Sequence, residues 1–140
     1  MKIIVHDKIP TESRYIRETV FLKEQGFPKE YDENDNIAKH IVIYENDEAI
    51  ATCRVYWDKD VNCYHIGRIA VLKPHRGKGL GITIVKEAEK LIKEQGGTEV
   101  FISGQVRVAE FYINKLGYTK YGEEYLEEEK PHVALKKSLI

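Results

Sequence analysis

Residues 76–81, Arg76–Gly77–Lys78–Gly79–Leu80–Gly81, place three glycines within five positions, beside an arginine and a lysine. Glycine tolerates left-handed and closely approached backbone, so a run of this kind lets successive N–H groups converge on one point. An apolar run, IGRIAV, comes before it and a strongly periodic amphipathic stretch comes after. Strand, turn and helix in that order aim the free N–H groups and partial positive charge of a helix start at an anion, a phosphate above all. Arg76 and Lys78 add side-chain charge. The plainer reading is a tight strand-to-helix junction, but three alternating glycines are more than a junction needs.

Spacing narrows the anion. A Walker loop requires GxxxxGK[ST], which does not occur. The dinucleotide fingerprint requires GxGxxG after the first strand of a doubly wound sheet, whereas here the glycines run GxGxG after a largely antiparallel half. ATP hydrolysis and nicotinamide binding both lose. No two of the five histidines have metal-ligand spacing, so no metal is expected.

The elements around the turn follow from periodicity. Residues 2–6 form a strand, and 13–24 an amphipathic helix carrying Ile16, Val20 and Phe21, with Thr11 or Ser13 as N-cap. The turn Asn46–Asp47 joins β-rich runs at 40–44 and 48–57, and a connection at 58–62 leads into 63–72. Leu80, Ile84, Val85, Ala88, Leu91 and Ile92 define one helical face, which Gly96–Gly97 ends. A strand at 99–102 completes a β–α–β crossover and hence a parallel pair. A shorter helix at 106–115 stops at Gly117, and strands at 118–121 and 133–137 flank an acidic loop over 122–132. The acidic segment holding Glu30, Asp32, Glu33 and Asp35 lacks the ligand spacing of a calcium loop and reads as a solvated loop.

Composition sets the outer bounds. With 140 residues, 42% hydrophobic and 32% charged, one soluble domain spanning residues 1–140 is expected. A formal net charge of -1 argues against a nucleic-acid-coating protein. Cys53 and Cys63 read as buried free thiols. The N-terminus has neither an apolar membrane-spanning run nor the length of a signal peptide, so a cytoplasmic location with no membrane partner is expected.

Taken together, R-x-x-G-x-G at 76–81, the preceding IGRIAV and the later FYxxxGY at 111–118 resemble the GCN5-related N-acetyltransferases, in order and spacing, over essentially the whole chain. VFLKEQGFP near residue 20, an acidic D-x-x-D before AKH, Gly104–Gln105 and Pro131–His132 resemble the small bacterial branch typified by ElaA and YjcF. The resemblance implies an α/β fold (α+β by some schemes): a mixed, mostly antiparallel sheet of about six or seven strands, a splayed parallel pair, and helices on both faces. It implies acetyl-CoA as acyl donor, with Ile69, Ala70 and Val71 pairing with the pantetheine arm and the N–H groups of Arg76, Gly77, Lys78, Gly79, Leu80 and Gly81 holding the pyrophosphate.

The same resemblance implies direct transfer to a primary amine of a small molecule, with Tyr112 as general acid to the coenzyme thiolate. Many members carry a glutamate base where this chain has Gly67; His132 then becomes the better base, ahead of His40. His65, in an alternating strand, is expected to face solvent, and His75 to touch coenzyme phosphates. Arg68, Gln105 and Gln25 are candidate substrate contacts or walls of the site. Relatives tend to have Asn-Ala or Gly-Ala where this chain has Ser103–Gly104. Two rivals stay open: a non-catalytic acyl-CoA sensor, and an enzyme acetylating protein lysines or N-termini. Exposed sheet edges make a homodimer an expectation.

Overall fold

A computed structural model describes residues 1–28 and 30–140. Seven strands form one sheet in the order β1-β2-β3-β4-β5-β7-β6. They are β1 (Lys2–His6), β2 (Lys39–Glu45), β3 (Glu48–Asp58), β4 (Cys63–Val71), β5 (Glu99–Gln105), β6 (Thr119–Glu127) and β7 (Lys130–Ser138). Only β4 and β5 pair in parallel, the result expected of a crossover through a helix. The fold is therefore the mixed, mostly antiparallel sheet that the resemblance implied.

Alternation along the strands sorts two apolar layers. Ile41, Ile43, Cys53, Val55, Ile66, Val100, Ile102, Val133 and Leu135 face the helices α2 (Leu80–Glu94) and α3 (Ala109–Leu116). Val42, Ala49, Ala70 and Leu72 face the opposite way, against Ile16 and Val20. Those two residues belong to α1 (Thr11–Arg17) and its π-helical continuation Glu18–Glu24. The helix at 13–24 is thus present but starts earlier. Pro10 occupies the N-cap position, and the Ser13 hydroxyl is buried against that of Thr52 at 2.8 Å.

Two hairpins turn on left-handed residues. Asn46 and Asp47 have φ of 53° and 65°, the primed geometry that their side chains tolerate. Glu128 and Glu129 have φ of 49° and 68°, and they join β6 to β7 in the same way. The 122–132 stretch is therefore mostly hairpin, not loop. Gly122 (φ 75°) and a register shift between Tyr121 and Tyr125 absorb two extra β6 residues.

The acidic segment 30–36 is also not a solvated loop. Arg17, 1% exposed, donates through Nε to Glu30 Oε2 at 2.6 Å and through Nη1 to Asp35 Oδ1 at 2.7 Å. Arg54, 3% exposed, bridges Asp35 (3.0 Å) and Asp32 (2.7 Å). Arg68 adds Nε to Glu30 Oε1 at 2.8 Å. Three guanidiniums and three carboxylates thus pin the segment to α1, β3 and β4. His40 is buried beneath it, its Nε2 at 3.2 Å from the Asp35 carbonyl, which makes it a structural histidine.

This arrangement sets a pH dependence. Burial pushes the His40 and His65 imidazoles below their ordinary 6.5. Although burial opposes ionisation of Asp32 and Asp35, the hydrogen bonds and charges of Arg54 and Arg17 hold both carboxyls below 3.8. In each case the unfolded chain binds the proton more readily, so stability is present above the ordinary value and is lost as pH falls through the folded one. Burial raises the Glu30 carboxyl, an effect of opposite sign. The melting temperature is expected to decline in two stages, first below about pH 6.5 and again below about pH 4. Calorimetry over this range checks it, and a flat profile between pH 7.5 and 5 would contradict the histidine assignment.

Candidate active site

β4 and β5 stay paired over only two positions, Tyr64 with Val100 and His65 with Phe101. Beyond them the strands separate, so Ile66 through Val71 have no partner on the β5 side. The cause lies in β4 itself. Between Thr52↔Ala70 and Arg54↔Gly67, β4 carries one residue more than β3, and Arg68 within that bulge takes φ of 50°. The bulge turns the strand away from β5. It also directs Arg68 onto Glu30 and Asp32.

A cleft of about 540 Å³ fills the separation. It brings together Gln25, Arg68, Ile69, Ala70, Val71, Arg76, Gly77, Gly79, Leu80, Gly81, Gln105, Tyr112 and His132. Lys78 and the alternative base His40 do not line it; the Lys78 side chain is exposed on the turn.

The turn after β4 leads into α2 with Gly77 at φ 83° and Gly79 at φ 78°, both left-handed, so both positions need glycine. The first backbone bond into α2 is Thr83 N–H to the Gly79 carbonyl. Among the described residues, the N–H groups of Gly77 through Ile82 meet no protein acceptor. Six donors at a helix start, opening on a cleft, are suited to a diphosphate. Arg76 differs from expectation. Its N–H is bonded to the Lys73 carbonyl at 3.2 Å. Its guanidinium holds the Glu24 carboxylate at 2.6 and 2.9 Å and the Val71 carbonyl at 2.9 Å. Arg76 ties the turn to the first helix, and one Val71 acceptor is already taken. His75 Nδ1, beside the turn and lining the cleft, is buried with no partner in the protein.

Tyr112 stands in the middle of the cleft wall. It is 8% exposed, and its ring packs where a Cβ on Gly104 would lie 3.4 Å from its Cε2. The same Cβ would be 2.9 Å from Leu135, so Gly104 is what lets α3 bring the tyrosine this close. No protein group within range hydrogen-bonds the Tyr112 hydroxyl among the described residues, and burial pushes its pKa up to about 12.

At the other end, β5 and the β6–β7 hairpin present polar groups. Gln105 Nε2 donates to Gln25 Oε1 at 2.9 Å, bridging β5 to the segment after the π-helix. Arg107 Nε donates to Gln105 Oε1 at 3.2 Å. His132 lies opposite Gln105 in register, with Nδ1 2.8 Å from the Lys130 carbonyl. A carbonyl only accepts, so Nδ1 carries hydrogen and Nε2 of the neutral ring keeps its lone pair.

Gly67 lines the cleft and is open. A Cβ there would sit at ordinary contact from His65 Nε2 (3.6 Å) and Arg54 Nε (3.7 Å), the latter a buried donor without a partner. His65 does not face solvent; its Nδ1 lies 2.8 Å from the Tyr56 hydroxyl and 2.9 Å from Asp58 Oδ2. The described residues contain no group of three or more metal-ligating side chains, and none of their helices is long and apolar enough to cross a membrane.

A strand splayed by a bulge, followed by an open anion turn and faced by a buried tyrosine, is the site plan of an acyl-CoA-dependent transferase. The model of the acetyltransferase (GNAT) family matches residues 7–118, and the chain belongs to that family. It is an acyltransferase by that membership. It is 36% identical over 126 residues to the uncharacterized N-acetyltransferase YjcF of Bacillus subtilis, covering 88% of each chain. Crystalline ElaA of Escherichia coli superimposes with a TM-score of 0.82 at 25% identity, over 97% of both chains. An aminoglycoside 6'-N-acetyltransferase complexed with coenzyme A shares the fold at 16% identity, with a TM-score of 0.76 over 100% of this chain and 98% of that one.

Proposed function

We propose that the protein transfers an acetyl group from acetyl-CoA to the primary amine of a small molecule. One observation carries this reading: the cleft joins six unpartnered N–H groups at 77–82 to the partnerless hydroxyl of a largely buried tyrosine by way of an unpaired strand edge. These residues fit coenzyme A. The turn suits its pyrophosphate, the unpaired edge of β4 suits the amides of its pantetheine arm, and His75 offers a further polar contact near the phosphates. Acetyl-CoA, when bound, supplies the acetyl group as an activated thioester.

His132 Nε2 takes one proton from the acceptor's ammonium, leaving a neutral amine. The amine nitrogen bonds to the acetyl carbonyl carbon as the carbon–sulfur bond breaks. Tyr112 gives its proton to the departing sulfur, and the nitrogen's surplus proton restores the tyrosine. Burial keeps the Tyr112 proton in place at neutral pH, and the same dry surroundings raise the proton affinity of the thiolate it serves. Gln25, Gln105 and Arg68 form the walls that orient the acceptor. With Gly67 leaving no carboxylate on β4, the base function falls to the histidine on β7.

Incubating the protein with acetyl-CoA and a panel of primary amines, and following free thiol, tests the reading. Thiol release is expected to be amine-dependent and matched one-to-one by acetylated amine. Coenzyme binding with no amine-dependent release would instead favour a sensor. Transfer only to polypeptide lysines or N-termini would favour a protein acetyltransferase.

A further inference from the structure

At one end of the cleft, His132 Nε2, the lone-pair nitrogen of the neutral ring that serves as base, faces a carboxylate oxygen of Glu127. His132 Nε2 and Glu127 Oε2 are 3.6 Å apart, too long for a hydrogen bond. The His132 side chain is 4% exposed, with Nδ1–H committed to the Lys130 carbonyl. Glu127 is fixed as well. Its Oε1 accepts from Ser103 Oγ at 2.9 Å, and Ser103 Oγ in turn accepts from the Tyr125 hydroxyl at 2.5 Å. The Tyr125 ring lies nearly parallel to that of His132, with 22° between planes and 6.3 Å between centroids. Four residues on three adjacent strands therefore hold a lone pair and a carboxylate oxygen at a fixed separation. Both His132 and Glu127 line the cleft.

Such a pair lacks a donor with at least two hydrogens. An ammonium nitrogen placed about 2.9 Å from each atom spans a gap of this width with ordinary hydrogen bonds. The cations nearby are already engaged. Arg68 is held by Glu30 and Asp32, and Lys130 lies over the Phe27 ring at 5.4 Å. Glu128, next to Glu127 and also lining the cleft, adds a second negative charge on the hairpin. Of the three arginines that line the cleft, Arg107, whose Nε is bonded to Gln105, keeps its guanidinium free of a carboxylate, whereas Arg68 and Arg76 do not.

We infer that Glu127, positioned by Ser103 and Tyr125, is the specificity residue that receives the acceptor's ammonium beside His132, and that the acceptors are amines without a carboxylate next to the reacting nitrogen. This rests on the acetyl-transfer reading and goes further than it, since an α-amino acid would bring its carboxylate against Glu127 and Glu128. Like charges at contact disfavour binding, and the 43% exposure of the Glu127 side chain moderates the penalty without removing it.

The test uses matched pairs that differ only in that carboxylate, such as tyramine against tyrosine and phenethylamine against phenylalanine, assayed by thiol release. Wild-type protein is expected to favour the decarboxylated member by about tenfold or more in kcat/KM. Glu127→Gln keeps the Ser103 contact and removes the charge. It is expected to raise the amine KM by about tenfold, with a much smaller change in kcat, and to narrow the preference within each pair. Coenzyme A affinity, measured by calorimetry on the same variant, is expected to hold. The inference is overturned if wild-type protein prefers the amino acids, if Glu127→Gln leaves the amine KM and the preference unchanged, or if Arg107→Gln selectively abolishes use of the amino acids in place of an effect at Glu127. Failure of every amine with both proteins would remove the acetyl-transfer reading itself, and this inference with it.

Discussion

Tyr112→Phe is expected to lower kcat for amine-dependent thiol release by about a hundredfold or more, with coenzyme A affinity unchanged. The phenylalanine ring keeps the contact with Gly104 and fills the same space, so neither α3 nor the cleft wall should move. What disappears is one hydroxyl that no protein group hydrogen-bonds and whose proton burial retains, with a pKa of about 12. Steady-state kinetics paired with calorimetric coenzyme binding separates the two quantities. A loss seen equally in kcat and in coenzyme affinity would make the tyrosine a packing residue, and an unchanged kcat would remove it from the chemistry.

The largest stability effect is expected at Arg17, far from the reacting atoms. Arg17→Met approximates the side-chain length but leaves buried Glu30 with Arg68 alone and buried Asp35 with Arg54 alone. Breaking a buried ion pair by removing one partner costs up to about 3–5 kcal/mol when the remaining charge is stranded, and the two remaining arginines bring the expected loss toward the lower end of that range. Asp35 also braces Arg54, which holds Asp32, so the disturbance should reach β3. Chemical denaturation of the variant against wild type measures the difference; a change below about 1 kcal/mol would mean that the network is idle. Glu30 lines the cleft, and so the same variant should show a weaker acceptor KM than wild type even where it remains folded.

The glycine turn after β4 was legible in the sequence because its physics is local. Gly77 and Gly79 are glycines for a backbone reason, and the strand, turn and helix around them are contiguous in the chain. The apolar face from Leu80 to Ile92 likewise follows from spacing alone. Features made by distant partners were not legible. Nothing in the composition of residues 30–36 distinguishes a solvated acidic loop from one neutralised by Arg17, Arg54 and Arg68, since the arginines arrive from three other elements. The charge of Arg76 was readable, but its engagement with Glu24, 52 residues away in sequence, was not.

Turn chemistry accounts for another difference. Asn46–Asp47 announces its hairpin because short polar side chains tolerate left-handed backbone. Glu128–Glu129 adopts that backbone without the sequence that favours it, and so the β6–β7 hairpin read as a loop. The hairpin carries Tyr125 and Glu127, both on β6, alongside His132 on β7. The local strain of two glutamates at positive φ is thereby placed at the rim of the cleft, which Glu127 and Glu128 line.

The central claim is that the opening between β4 and β5 seats an acyl-CoA with its pyrophosphate on the 77–82 turn. Amide-resolved NMR of the protein titrated with coenzyme A tests it most directly. The account predicts saturable shifts concentrated at the N–H groups of Gly77 through Ile82, with further shifts along Ile69–Val71 and at Tyr112. Absence of binding would contradict it, as would shifts confined to the basic hollow formed by Lys86, Lys90, Lys93 and Lys137 on the far side of α2.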